Sequence, residues 1–161
     1  MVKLGFKKVH PDAKMPRKAH ESDAGMDVCA VEVTWLKPFS PTLVKTGLVP
    51  NIPDGYELQV RPRSGLALKN GVTVWNSPGT VDSGYRGEIG VILIWTPYTE
   101  AYSQMIGNSI IIPESYRINK GDRIAQLVLA PVVPCSVEEI DDVGQSDRSK
   151  AGHGGFGSTG V

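Results

Sequence analysis

The 161-residue sequence is poor in aromatic side chains (7%), has only 2 cysteines, and carries a formal net charge of +0. The absence of a basic excess disfavours a general nucleic-acid binder. The longest apolar runs, 91–95 and 127–134, are too short to span a bilayer, and the N-terminus lacks the apolar core of a signal peptide. We therefore expect a soluble, intracellular (cytoplasmic) protein that binds neither membranes nor nucleic acid.

The sequence also lacks several common site motifs. It contains no Walker-type loop, no Rossmann fingerprint and no Gly-x-Ser-x-Gly motif. Its three histidines are scattered and lack zinc-ligand spacing with cysteine or histidine. Cys29 and Cys135 lie far apart among apolar neighbours, so we expect two buried free thiols rather than a disulfide.

Glycine and proline are abundant, with 18 and 12 residues respectively. Both residues disfavour helix interiors, so this composition argues against a helical bundle. Strand-like segments recur, and only 64–70 reads as a short helix. The predicted fold is an all-β, distorted jelly-roll β-barrel with one short helix and a flexible Gly-rich C-terminal tail. The expected strands are 31–35, 43–52, 56–63, 71–75, 87–95, 110–112 and 124–133.

We expect a single β-barrel domain over 1–143 and a flexible C-terminal lid over 144–161. Within the domain, 1–20 reads as a basic arm or first strand, and 96–119 as an extended loop or hairpin. The tail has almost nothing to bury and cannot fold alone, which leaves a disordered end as the simpler interpretation. Its single aromatic residue, Phe156, instead suggests an arm that closes over a ligand.

The end of the predicted strand 56–63 is a candidate anion site. Arg63 offers a planar cation, Ser64 a hydroxyl, and the start of the helix unpaired backbone N–H groups. The alternative is that Ser64 is an ordinary N-cap.

The segment 76–87 reads as two turns, at Asn76–Gly79 and at 83–84, with Thr80, Val81 and Asp82 between them. A tight hairpin here could present backbone groups to a planar base. Asp82 could act as a general base on water, and Tyr85 could stack on a sugar or ring. The alternatives are a turn-forming role for Asp82 and a core position for Tyr85.

Three further polar residues lie beside apolar segments. Gln126 interrupts an apolar strand and needs partners, either as a satisfied core residue or as part of a site. Asp23 and Asp27 flank Gly25, but no third ligand accompanies them, so we expect a turn-capping or interface role rather than a metal site.

Five segments, taken in order, closely resemble the motifs of the homotrimeric deoxyuridine triphosphatase (dUTPase) family. Each match is weak alone, and the ordered set is specific. The segments are DAGMDV (23–28), RPRSGLALK (61–69), NSPGTVDSGYRG (76–87), GDRIAQLVLAPV (121–132) and GGFGSTG (154–160).

The resemblance implies a jelly-roll homotrimer with three sites between subunits. It implies hydrolysis of dUTP to dUMP and pyrophosphate, which supplies dUMP for thymidylate synthesis and keeps uracil out of DNA. Asp82 would activate a water that attacks the α-phosphorus. Mg²⁺ would be held by the phosphates and water, with no direct protein ligand. The implied substrate-binding residues are Arg63, Ser64, Gly65, Asn76, Gly79, Thr80, Val81, Tyr85, Gln126, Arg148, Phe156, Gly157 and Ser158.

The sequence departs from the family pattern in the tail, where Ala151 stands at the position of the usual arginine. We assign that role to Arg148, with Lys150 as the alternative. Thr80-Val81 replaces a more usual apolar pair, and the 96–119 connection is longer than is typical.

Two other functions are compatible with parts of the sequence. The first is a deoxycytidine triphosphate deaminase of the same fold, which would need a glutamate in the strand after the hairpin. That strand, at 90–94, contains no acid. The second is a non-catalytic trimer that binds a nucleotide or a partner protein. A regulatory protein partner in addition to catalysis, contacted through 96–119, also remains open.

Overall fold

The computed structural model describes residues 2–97, 104–106 and 109–144. Over these residues the chain is built from short strands and one short helix, α1 (Ser64–Asn70). The strands are β1 (Gly5–Lys8), β2 (Met26–Cys29), β3 (Thr34–Leu36), β4 (Thr42–Lys45), β5 (Leu48–Asn51), β6 (Tyr56–Arg61), β7 (Val72–Val74), β8 (Gly79–Val81), β9 (Gly90–Trp95), β10 (Gln104–Ile106), β11 (Ser109–Ile111), β12 (Tyr116–Ile118) and β13 (Arg123–Pro131).

The strands pair into antiparallel sheets. One sheet has the order β2-β13-β6-β8 and another the order β4-β9-β7, and the pairs β1-β5, β12-β3 and β10-β11 complete the set. The all-β jelly-roll prediction and the single helix are confirmed. The described strands form separate sheets rather than one closed barrel, so the barrel part of the prediction is not met. Within 96–119, where an extended loop or hairpin is predicted, β10 and β11 pair antiparallel.

The strand predicted over 43–52 is divided in two at Thr46 and Gly47. Gly47 has φ +68°, and a Cβ there would lie 2.7 Å from the His10 Cβ. Only glycine tolerates both the left-handed backbone and this close approach. The break lets β4 pair with β9 while β5 pairs with β1, so one apolar segment serves two sheets.

The segment 72–85 is a crossover between sheets, which corrects the predicted hairpin. β7 pairs with β9, whereas β8 pairs with β6. The turn predicted at Asn76–Gly79 lies at 75–78, because Gly79 already begins β8, and the turn predicted at 83–84 is present.

The core forms between the inward faces of the sheets. The alternation predicted for β6 is confirmed, because Leu58 and Val60 are buried while Arg61 is exposed. Twelve large side chains have almost no exposed surface: Trp95, Leu36, Leu48, Leu58, Ile89, Leu93, Ile118, Ile124, Leu127, Val28, Val44 and Val72.

β13 ends at Pro131, two residues before the predicted end, and the chain from 132 to 144 lies exposed. Val137 in this segment is 98% exposed. Cys135 lies in this segment and is exposed, and Cys29 in β2 is half-buried, so the prediction of two buried thiols is wrong.

Within the described residues, no helix is long and apolar enough to cross a membrane.

Candidate active site

An arginine cluster (Asp27, Arg63 and Arg123) forms where β2 and β13 lie beside the end of β6. The Asp27 carboxylate, only 15% exposed, accepts a hydrogen bond from Arg63 Nε at 2.9 Å and one from Arg123 Nη1 at 3.0 Å. Arg63 Nη1 also donates to the Arg123 backbone carbonyl at 3.1 Å. Arg63 is thus fixed from two sides, and its guanidinium is pre-positioned at the surface.

Helix α1 begins directly after Arg63. Arg63 is the N-cap, with extended backbone angles and no side-chain cap hydrogen bond. Ser64 is the first helical residue, so the alternative of an ordinary serine N-cap is wrong. The N–H groups of Leu66 and Ala67 both bond to the Arg63 carbonyl. In the part of the chain that the structure describes, the N–H groups of Ser64 and Gly65 have no such bond and both residues are exposed, as an anion cradle requires.

Gln126 lies in β13 between Arg61 of β6 and Asp27 of β2. Its side chain is half-buried and packs on Gly25, where a Cβ would lie 3.0 Å from both Cδ and Oε1. Asp23 has the predicted turn role, because its carboxylate accepts the His20 N–H at 2.9 Å. Gln126 therefore lies on β13 directly opposite Asp27 of the arginine cluster. Asp23 is not part of that cluster.

Two cavities flank the arginine cluster. The larger, about 590 Å³, is lined by side chains that are mostly basic: Lys8, Lys14, Met15, Arg17, Lys18, Ala19, Asp27, Cys29 and Arg123. The smaller, about 280 Å³, lies between Arg63 and Tyr116. The excess of cations over carboxylates makes this surface attractive to anions. Burial raises the pKa of the Cys29 thiol, although Lys14 nearby opposes this shift.

A second group of predicted residues lies in 76–85, within the crossover 72–85. The Asn76 side chain packs on Gly79, where a Cβ would lie 3.2 Å from the Asn76 Nδ2. Thr80 is exposed, and Val81 is half-buried. The Asp82 carbonyl accepts the Tyr85 N–H at 3.0 Å. The Asp82 carboxylate is exposed and accepts no hydrogen bond from the described residues, which leaves it free to act as a base.

Tyr85 belongs to the same group and is 42% exposed, so its alternative as a core residue is wrong. Its hydroxyl donates to the Glu88 carbonyl at 2.8 Å. The ring lies at a cavity of about 290 Å³ whose apolar wall is formed by Leu43 and Ile92. Lys45 and Glu88 also line this cavity, so it combines an apolar wall, which suits a flat or puckered ring, with polar edges.

The two groups lie apart within one chain. Val81, the residue before Asp82, pairs with Leu58, which pairs with Leu129, three residues along β13 from Gln126. Three residues of strand rise and two strand spacings correspond to roughly 14 Å. One chain therefore holds the anion-binding residues and the candidate base at separate places. The predicted tail residues Arg148, Phe156, Gly157 and Ser158 lie outside the described residues.

Sequence reasoning missed the contribution of Asp27 and of the basic arm. The sequence predicts a turn-capping or interface role for Asp27, and the structure adds its pairing with two arginines. Lys14, Arg17 and Lys18 line the larger cavity. The excess of basic residues in 1–20, the segment predicted as an arm or first strand, is the sequence signal for this surface.

A jelly roll that carries a cationic surface and a separate exposed carboxylate has the two groups that a nucleotide-hydrolysing enzyme needs, donors for phosphate and a base for water. The dUTPase family model matches residues 11–100 and 108–160. The chain belongs to the dUTPase family, whose curated members are deoxyuridine 5′-triphosphate nucleotidohydrolases, that is, dUTP diphosphatases.

Individual relatives agree with this assignment. The deoxyuridine 5′-triphosphate nucleotidohydrolase of Clostridium tetani is 45% identical over 157 residues, which cover 98% of this chain and 96% of the relative. The Staphylococcus bacteriophage 80alpha dUTPase with dUPNHPP, described among phage dUTPases that control transfer of virulence genes, has a TM-score of 0.82 and 29% identity, with 100% of both chains covered. A mutant dUTPase from phage phi11 of S. aureus, described with a coordinated structural Mg(II) ion, has a TM-score of 0.74 and 26% identity, covering 88% of this chain and 99% of that chain.

Proposed function

We propose that this chain hydrolyses dUTP to dUMP and pyrophosphate, with Asp82 as the general base for water attack on the α-phosphorus, in sites shared between the subunits of a homotrimer. The observation that carries the proposal is the Asp82 carboxylate, which is exposed and accepts no hydrogen bond from the described residues. A carboxylate within reach of one water can remove its proton as the water attacks.

The arginine cluster supports a role in binding the triphosphate. Negative charge spreads over the phosphoryl oxygens in the transition state, and fixed donors stabilise it without having to reorganise. Arg63 is held by Asp27 at 2.9 Å and has donors left over. Ser64 and Gly65 supply N–H groups at the helix start, and Gln126 adds an amide from β13.

The crossover supports recognition of the base and sugar. Backbone groups of Asn76, Gly79, Thr80 and Val81 would read the edge of uracil and leave no room for a 5-methyl group. The Tyr85 ring would pack under the deoxyribose and clash with a ribose 2′-hydroxyl. The C-terminal lid would add the remaining contacts, with Phe156 on the uracil, Arg148 (alternatively Lys150) on the γ-phosphate, and Gly157 and Ser158 beside them.

The residues near the arginine cluster fit a Mg²⁺ ion that is held by the substrate. Among the described residues, no three His, Cys, Asp or Glu side chains converge on a common point. Asp27, the acid within the cluster, has each of its carboxylate oxygens engaged by an arginine. When bound through phosphates and water, Mg²⁺ would neutralise charge on the phosphoryl oxygens.

The separation of the two residue groups supports assembly of the site from several chains. Val81 and Gln126 are roughly 14 Å apart along the sheet. This separation is too large for Asp82 to act on phosphates that are bound at the arginine cluster of the same chain. In a homotrimer, neighbouring chains would supply the missing group. The single domain over 1–143 and the lid over 144–161 remain part of this proposal.

The test is pyrophosphate release from dUTP with Mg²⁺, with dTTP and UTP as controls. Asp82→Asn should bind nucleotide and lose turnover, because the amide cannot accept the proton. Asp54→Asn, an exposed acid on the turn before β6, is the matched control and should keep full turnover. No release from dUTP by the unmodified protein would refute the proposed function, and undiminished turnover in Asp82→Asn would refute its mechanism.

The same assay separates the rival functions. Ammonia release from dCTP would favour the deaminase, although residues 90–94 of β9 contain no acid. Nucleotide binding without turnover would favour the non-catalytic trimer. A regulatory protein partner contacted through 96–119 stays a prediction, to be tested by deleting residues within that segment and measuring both activity and partner binding.

A further inference from the structure

The Tyr85 side chain is held at both ends within its own turn. Its backbone N–H donates to the Asp82 carbonyl at 3.0 Å, and its hydroxyl donates to the Glu88 carbonyl at 2.8 Å. The ring therefore bridges the start and the end of the 82–88 turn and lies across the residues between them.

Gly87 lies directly under this ring. A Cβ built on Gly87 would be 2.5 Å from the Tyr85 hydroxyl oxygen, 2.7 Å from Cζ and 3.2 Å from Cε2. Gly87 does not have a positive φ, so its backbone conformation does not itself require glycine. The ring of Tyr85 is the contact that excludes a side chain at this position.

The backbone after Gly87 is anchored to the body of the protein. The Glu88 carboxylate accepts the Gly47 N–H at 2.7 Å, and the Ile89 carbonyl accepts the Thr46 hydroxyl at 2.7 Å. A side chain at position 87 therefore meets a fixed backbone and a partly exposed ring that borders a cavity. The ring is the part that moves, and the fold can persist when it does.

We propose that Gly87 is a positioning residue for sugar selectivity, because its lack of a side chain lets the Tyr85 ring lie down against the turn. This inference rests on the proposed function, in which Tyr85 excludes the ribose 2′-hydroxyl. A methyl group at position 87 lifts the ring away from its hydrogen bond with Glu88 and changes the space offered to C2′ of the sugar.

The main experiment compares kcat/KM for dUTP and UTP in Gly87→Ala and in Gly84→Ala. Gly84 lies in the same turn, has no positive φ, and has no atom within 4 Å of an added Cβ. We expect the dUTP-to-UTP preference to fall at least tenfold in Gly87→Ala and to stay within twofold in Gly84→Ala. An unchanged preference in Gly87→Ala would overturn the inference.

A double substitution shows whether Gly87 acts through Tyr85. With Tyr85→Ala in place, adding Gly87→Ala should not change the dUTP-to-UTP ratio further, because the contact is already gone. A further fall in the ratio would overturn the proposed route. If Gly87→Ala alone fails to fold, folding of the double variant supports the ring contact, and failure of both variants contradicts it.

A readout without substrate keeps this inference distinct from the proposed function. In protein labelled with ¹³C at tyrosine Cε, the Tyr85 resonance, assigned with Tyr85→Phe, should shift in Gly87→Ala and stay in place in Gly84→Ala. An unmoved resonance contradicts the inference whatever the enzyme does. A moved resonance in a protein that releases no pyrophosphate from dUTP refutes the proposed function and the selectivity role, and leaves the ring contact established.

Discussion

Replacing Asp27 with Asn should impair use of the triphosphate while leaving the chain folded. The carboxylate holds Arg63 at 2.9 Å and Arg123 at 3.0 Å, one oxygen for each. An asparagine has the same shape but keeps only one acceptor and turns an NH₂ group toward the other arginine. At least one guanidinium must then move, and its charge loses its partner.

The size of the effect follows from how well each pair is shielded from water. The Arg63 side chain is 23% exposed and that of Arg123 57%, so the Arg63 pair should contribute most. A hydrogen bond to a charged group contributes about 1.5–3 kcal/mol. If that free energy serves to position Arg63 on the phosphates, kcat/KM for dUTP should fall by about tenfold to a hundredfold.

The assay is steady-state pyrophosphate release, with urea unfolding of each variant at equal protomer concentration. Asp12→Asn is the matched control, because its carboxylate pairs with Lys120 at 3.2 Å and both side chains are about half exposed. In an Arg63→Ala background, Asp27→Asn should add little, because the residue it positions is absent. A folded Asp27→Asn enzyme with kcat/KM within twofold of the unmodified protein would show that the pairing does not position Arg63 for catalysis.

Two further predictions concern stability and thiol reactivity. Thr46→Val should lower the free energy of unfolding by about 1–3 kcal/mol in urea, because it leaves the Ile89 carbonyl without the hydroxyl that donates to it at 2.7 Å. Thr42→Val, whose hydroxyl makes only a 3.4 Å contact, should change it little, and equal effects would contradict the argument. Burial raises the pKa of the Cys29 thiol and also limits its access to reagents, whereas Cys135 is exposed. Cys135→Ser should therefore abolish the fast phase of reaction with a disulfide reagent, and a fast phase that persists would show Cys29 to be the reactive thiol.

Short stretches of sequence were sufficient to predict the elements that depend on neighbouring residues alone. The helix at 64–70 has its predicted bounds, because Arg63 is its N-cap and Gly71, with φ 65°, is its C-cap. The inward positions of Leu58 and Val60 follow from the two-residue period of a strand. The break at Gly47 was not predicted, since it depends on contacts with His10 and with other segments distant in sequence.

The residues of the candidate site likewise include some that local sequence predicts and some that it does not. Asp82 and Arg63 could be selected from the sequence because their turn and helix-start contexts are local and match a family pattern. The pairing of Asp27 with Arg63 joins residues 36 positions apart in the chain, and it depends on the registers of β2 with β13 and of β13 with β6. A pattern within a short stretch of sequence does not determine how distant strands pair, so the ion pair could be identified only from the structure.

The distance between the base and the phosphate-binding group has a genetic consequence. If neighbouring chains each supply one group, a substitution at Asp82 and a substitution at Arg63 damage different halves of the shared site. Co-expressed in one cell, they would assemble into mixed trimers in which some interfaces pair an intact base with intact phosphate donors. Two inactive alleles would then restore part of each other's activity, whereas two alleles damaged in the same group would not.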